Sequence, residues 1–153
     1  MEFTLVALGG TFDIIHAGHM ALLEKGFSIS KKVILGLTSD ELAEKKGKKL
    51  INNFQIRYSA LESLLKDKFP NSVFEIAKLD SDFGPAAIDD DVDALVVSEE
   101  TSGKGELLNK LRLEQDQVPV AIIVVPMVLA KDGSRISTTR IKNSEIDIKG
   151  NIR

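Results

Sequence analysis

Five short runs of apolar, mostly β-branched residues alternate along this chain with stretches whose apolar residues recur at helical spacing, and few folds accommodate that alternation. Phe3 to Leu8, Lys32 to Leu37, Ser72 to Ala77, Ala94 to Ser98 and Val120 to Val125 read as strands. Met20, Leu23 and Phe27 mark a first helix, Phe54, Tyr58, Leu61 and Leu65 a second, and Leu107, Leu108 and Leu111 a third. Several of the strand runs are apolar at consecutive positions, as in parallel strands covered on both faces, whereas half-exposed antiparallel strands alternate. The pattern predicts a doubly wound α/β sheet of five parallel strands. The breaks near Gly47, Pro70, Gly84-Pro85 and Asp132-Gly133 read as loops, so residues 1–153 form one domain.

In sheets of this kind a ligand binds beyond the carboxyl ends of the strands. The polar segments Gly9 to His19, Thr38-Ser39-Asp40 and Ser98 to Thr101 all follow strand ends, so they should meet in one crevice. Composition narrows what can bind there. A net charge of -3 gives no general reason to expect a nucleic-acid partner. With no cysteine, the chain has neither a disulfide scaffold nor a thiolate nucleophile. No apolar run reaches membrane-spanning length and the N-terminus lacks a leader pattern, so the default expectation is a cytoplasmic protein.

The segment Gly9-Gly10-Thr11-Phe12-Asp13-Ile14-Ile15-His16-Ala17-Gly18-His19 joins a glycine turn to the only two histidines. It lies where a strand becomes a helix, and there free backbone N–H groups and the positive end of the helix dipole suit a triphosphate. Gly9 and Gly10 would let that anion approach the backbone. His16 and His19, three residues apart, can face one bound group and stabilise charge developing on a transferring phosphoryl group, with no nucleophilic side chain needed. A two-histidine metal site lacks its usual third ligand, and Asp13 can hydrogen-bond within its own turn.

Other residues carry weaker signals. Lys45, Lys46, Lys48 and Lys49 surround Gly47 and read either as a cationic lid closing on a phosphate or as a solvated run. Arg57, just inside the next helix, is a candidate for holding an anion. Ser98, Glu99 and Thr101 can offer hydrogen bonds to a base or ribose, or simply cap a helix. Asn109 and Arg112 can face one way on their helix, with Arg112 reaching the triphosphate. Ser137 can cap a last short helix, where Thr138 and Thr139 add donors for phosphate oxygens. Asp89, Asp90, Asp91 and Asp93 lack calcium-loop spacing and read as a solvated loop.

The first segment resembles the GTFDxxHxGH signature of the nucleotidyltransferase superfamily, and Ile136-Ser137-Thr138-Thr139-Arg140-Ile141 resembles its ISTT element. Gly36 to Glu41, Leu79-Asp80 with Phe83 to Ala86, Val96 to Thr101 and Gly133 to Gly150 extend a likeness to the archaeal type of phosphopantetheine adenylyltransferase over nearly the whole chain. The resemblance implies a single Rossmann-like nucleotidyltransferase domain that transfers AMP from ATP to 4'-phosphopantetheine. Thr11 and a lysine of the Lys45/Lys46 pair would orient the acceptor phosphate. His16 and His19 would contact the ATP phosphates, with His19 as the main stabiliser of the transition state. Mg²⁺ would arrive on the triphosphate. The same blocks are shared by glycerol-phosphate cytidylyltransferases and FMN adenylyltransferases, although Lys131 to Arg135 stands where cytidylyltransferases carry Arg-Thr-Glu-Gly. A non-catalytic ATP-sensing module is the alternative from another class.

Overall fold

The computed structural model describes residues 3–81, 83–84 and 91–126. The chain runs β1 (Phe3–Gly10), α1 (Ala17–Ile29), β2 (Ser30–Thr38), α2 (Asp40–Lys45), α3 (Phe54–Lys68), β3 (Val73–Leu79), β4 (Ala94–Ser98), a 3-10 turn (Glu99–Thr101), α4 (Gly103–Glu114) and β5 (Ala121–Val125). Every pairing is parallel, in the order β3-β2-β1-β4-β5. The strands and helices stand where hydrophobic periodicity put them, with ends moved by one or two residues.

Side chains alternate across the sheet, so each strand feeds two cores. Val6 and Leu8 of β1 join Val33, Leu35 and Leu37 of β2 and Val96 of β4 under Leu23 of α1 and Leu61 and Leu65 of α3. Leu5, Ala7, Ile34, Leu95 and Val97 meet Leu108 of α4 on the other face. Burial on both faces holds for the central strands β1, β2 and β4. It fails for β3 and β5, whose residues are largely exposed or half-buried because an edge strand has one neighbour. On α4 the expected apolar stripe also divides: Leu108 is buried, whereas Leu107 is 58 % exposed.

Strand order reverses between β1 and β4, which opens the crevice at their carboxyl ends. Val6 pairs with Ala94 and Ala7 with Leu95, and continuing that register sets Ser98 level with Gly10. At the opposite edge, Asp93 accepts hydrogen bonds at Oδ2 from the amides of Thr4 and Leu5 (3.0 and 3.1 Å). Asp93 thus ties β1 to the start of β4, a structural duty in place of the solvated loop expected of it. Asp89 and Asp90 lie outside the described residues, as does the block from Ile136 to Ile141.

Candidate active site

The turn after β1 is held open by packing. Phe12 takes a left-handed backbone conformation (φ 50°) that tucks its ring beneath Gly10, where a Cβ would meet it at 2.9 Å. The ring is buried and lies 4.8 Å from that of His19. Phe12 therefore supports the site from below and presents no aromatic face to a nucleotide. Gly10 clears space for Phe12, while Gly9, exposed at the strand end, keeps the backbone approachable.

His16 is the N-cap of α1 and His19 occupies the third helical position. The two rings stack with centroids 3.9 Å apart. The Gly18 amide donates to Nδ1 of His16 (3.1 Å), and the His16 amide donates to Nδ1 of His19 (3.2 Å). Both Nδ1 atoms are thus acceptors, so each neutral ring carries its proton on Nε2. Among the described residues neither Nε2 has a protein partner, which leaves two parallel N–H donors for an incoming anion. Gly18 leaves room for the ring, since a Cβ there would meet His16 Cε1 at 2.9 Å and push it aside. The cap also corrects one expectation: the Gly18 amide is taken by the His16 ring and the His16 amide by the His19 ring, so the helix end offers fewer free N–H groups than supposed.

Burial pushes the His16 pKa down to about 4. Burial, then the neighbouring charges of His16 and Lys48, push that of His19 to about 3. Both rings are neutral donors at physiological pH. Between about pH 6.5 and about pH 4 the unfolded chain binds protons that the folded chain refuses, so stability should decline as pH falls through that window. Urea midpoints between about pH 7.5 and about pH 4.5 test this, because His19→Gln should show a shallower decline than the parent. Equal slopes would mean that the histidine is not held neutral.

The lysine segment is shaped by a helix end. Lys46 caps α2, Gly47 follows at φ +75°, and the amides of Gly47 and Lys48 donate to the carbonyls of Glu44 (2.9 Å) and Ala43 (3.0 Å). This pair of bonds is a Schellman motif. It turns the chain so that Nζ of Lys48 donates to Oγ1 of Thr11 (2.9 Å). Lys48, then, is the lysine brought to Thr11, while Lys45 and Lys46 sit exposed at the helix end. Gly47 serves as a left-handed cap where the sequence suggested a hinge. A Cβ there meets nothing within 4 Å, so Gly47→Ala should cost about 1 kcal/mol of stability through conformation alone, measurable by urea unfolding.

Arg57 and Arg112 both depart from their expected roles. Arg57 is 1 % exposed and donates from Nη1 to the carbonyls of Thr11 and Thr38 (both 2.8 Å), from Nε to that of Asn52 (3.1 Å) and from Nη2 to Asp40 Oδ1 (2.8 Å). Four of its five donors are consumed, so it organises three loops and does not hold an anion directly. The hydrogen bond from Arg57 holds the Asp40 carboxyl below its usual range against some desolvation, with the Phe54 amide assisting. Arg112, also 1 % exposed, donates from Nε to the Val118 carbonyl (2.8 Å) ahead of β5. Asn109 clasps Val120, donating to its carbonyl (3.1 Å) and accepting from its amide (2.7 Å). Both residues secure β5 at the amino end of the sheet, away from the histidines, which removes Arg112 from the triphosphate.

Ser98 and Thr101 form a cap, with Oγ to Oγ1 3.0 Å and the Ser98 amide donating to Thr101 Oγ1 (3.3 Å); Glu99 is exposed beside them. Ser137, Thr138 and Thr139 lie outside the described residues. Asp13 and Asn52 complete the site. Asp13 is buried, and its carboxylate accepts from the amides of Ile51 and Asn52 (both 2.9 Å), while Asn52 Nδ2 donates to the Asp13 carbonyl (3.0 Å). Its carboxylate thus clasps a loop 38 residues away.

A strand-to-helix turn that presents two neutral imidazole donors beside a lysine-threonine pair, at the switch point of a parallel sheet, defines a nucleotidyltransferase. The cytidylyltransferase-like family model matches residues 7–144. The chain is 39 % identical over 151 residues to the phosphopantetheine adenylyltransferase of Methanothermobacter thermautotrophicus, covering 99 % of this chain and 90 % of that one. It is 40 % identical over 151 residues to the enzyme so named in Methanosarcina mazei, covering 97 % and 96 %. A crystal structure of an Archaeoglobus fulgidus protein of unknown function superposes with a TM-score of 0.73 at 30 % identity, covering 80 % of this chain and 89 % of that one. The chain belongs to the cytidylyltransferase-like family and, within it, to the archaeal type of phosphopantetheine adenylyltransferase.

Proposed function

We propose that this protein transfers the AMP moiety of ATP to 4'-phosphopantetheine, releasing pyrophosphate and forming dephospho-coenzyme A. The observation that carries the reading is the stacked, neutral histidine pair with its Nε2–H donors beside Thr11 and Lys48. An oxygen of the acceptor phosphate attacks the α-phosphorus in line, the bond to the bridging oxygen breaks, and the electron pair leaves on pyrophosphate. Lys48 and Thr11 hold the acceptor phosphate by a charge-assisted pair of donors. His16 and His19 donate to oxygens on which charge accumulates, without a proton changing hands. Ser98, level with Gly10, flanks the nucleotide from the β4 side.

Among the described residues no group of three histidine or carboxylate side chains could cage a metal, and the carboxylates nearest the turn, Asp13 and Asp40, are bonded to amides and Arg57. That donor set fits Mg²⁺ carried by the triphosphate, where the ion would neutralise phosphate charge. Among the described residues no helix is long and apolar enough to cross a membrane. Incubation with ATP, Mg²⁺ and 4'-phosphopantetheine, with CTP, FMN and glycerol 3-phosphate as controls, tests the reading by product mass. Dephospho-coenzyme A from ATP alone is the expected outcome. A product only from another donor or acceptor overturns the substrate assignment, and ATP binding without turnover favours a sensor.

A further inference from the structure

Lys48 reaches Thr11 from an exposed loop, and something must hold that loop against the histidine turn. Its N-terminal side is fixed by the Schellman motif at Gly47. Its C-terminal side is fixed by Asp13, whose two carboxylate oxygens each accept one amide, from Ile51 and Asn52. Asn52 returns a side-chain bond to the Asp13 carbonyl, and its own carbonyl accepts from Arg57, which also grips the Thr11 carbonyl. Thr11 and the lysine loop are therefore bolted to one another twice over, through Asp13 and through Arg57.

We infer that Asp13 is a positioning residue that sets the acceptor-phosphate subsite by clamping the Ile51–Asn52 backbone and so fixing Lys48 over Thr11. This rests on the functional reading above, because Lys48 is taken to meet the acceptor phosphate. Asparagine at position 13 keeps the shape but can accept from only one of the two amides, since its other terminal atom is a donor. The loop then shifts, and a misplacement of about 1 Å can cost about 100-fold in rate.

The test is a double-mutant cycle read as KM for each substrate. Asp13→Asn should raise KM for 4'-phosphopantetheine by about 10-fold while KM for ATP stays within about 2-fold, and Lys48→Ala should do the same. Asp13→Asn added to Lys48→Ala should raise the acceptor KM no further, because the clamp acts through the lysine. Additive effects, or equal changes in both KM values, overturn the inference. Should Asp13→Asn fail to fold, Asn52→Ala removes a single bond of the clamp and should shift the acceptor KM in the same direction; no shift overturns it. A readout free of catalysis separates this inference from the functional reading. The Ile51 and Asn52 amides should exchange hydrogen slowly in the parent and about 10-fold faster in Asp13→Asn. Unchanged exchange defeats the clamp, whereas absence of turnover in the parent defeats the functional reading alone.

Discussion

Alanine in place of His19 should lower kcat for pyrophosphate release by about 100-fold or more and leave the sheet and helices intact. The His19 ring sits between His16 and Phe12, and its Nδ1 is spent on the His16 amide, so Nε2–H is what it has to give a substrate. Alanine deletes that donor at the point where negative charge builds. It also removes one half of the reciprocal cap on α1, at a cost of about 1 kcal/mol, which the rest of the fold absorbs. Turnover near the parent level, in a variant whose circular dichroism is unchanged, would remove His19 from the chemistry. Because both rings are already neutral, kcat should also be insensitive to histidine titration between about pH 6 and about pH 8.

Arg57→Met should be the substitution that costs most in stability, lowering the unfolding free energy by about 3 kcal/mol or more. Methionine fills much of the volume but donates nothing, and the carbonyls of Thr11, Thr38 and Asn52 lose their partner together. Asp40, partly exposed, returns to water and contributes less. Urea unfolding with an unchanged m-value measures the effect. A variant as stable as the parent but impaired in substrate binding would restore to Arg57 the anion-holding role its sequence position suggested.

How far the sequence could be read depended on the range of the signal. Strand positions, the two-sided core and the strand-to-helix placement of the histidines follow from local periodicity, and the apolar residues Leu23, Leu61, Leu65 and Leu108 are all buried as that periodicity requires. The arginines were misplaced although a clue was present. Arg57 shares the i, i+4, i+8 stripe of Leu61 and Leu65, and Arg112 the i, i+3, i+7 stripe of Gly105 and Leu108, so each stands where a core residue belongs. An arginine on an apolar stripe must turn inward and find acceptors, and the acceptors here are loop carbonyls. Asp13 and Asn52 gave no such clue, because their partnership spans 39 residues and rests on backbone amides that any sequence would supply. The choice among the lysines turned on one glycine in the left-handed region, which brings Lys48, and not a lysine of the helix end, to Thr11.

Leu79, at the end of β3, occupies the space that a Cβ would need at Gly36 (2.7 Å), and it also crowds such an atom at Gly9 (3.3 Å) and at Gly84. Three glycines on three separate segments thus face a single side chain. An alanine at Gly36 requires the Leu79 side chain to shift, and a smaller residue at position 79 removes that requirement. The floor beneath the histidine turn is therefore one packing unit, in which the size of the residue at position 79 decides what the glycines opposite it can accommodate.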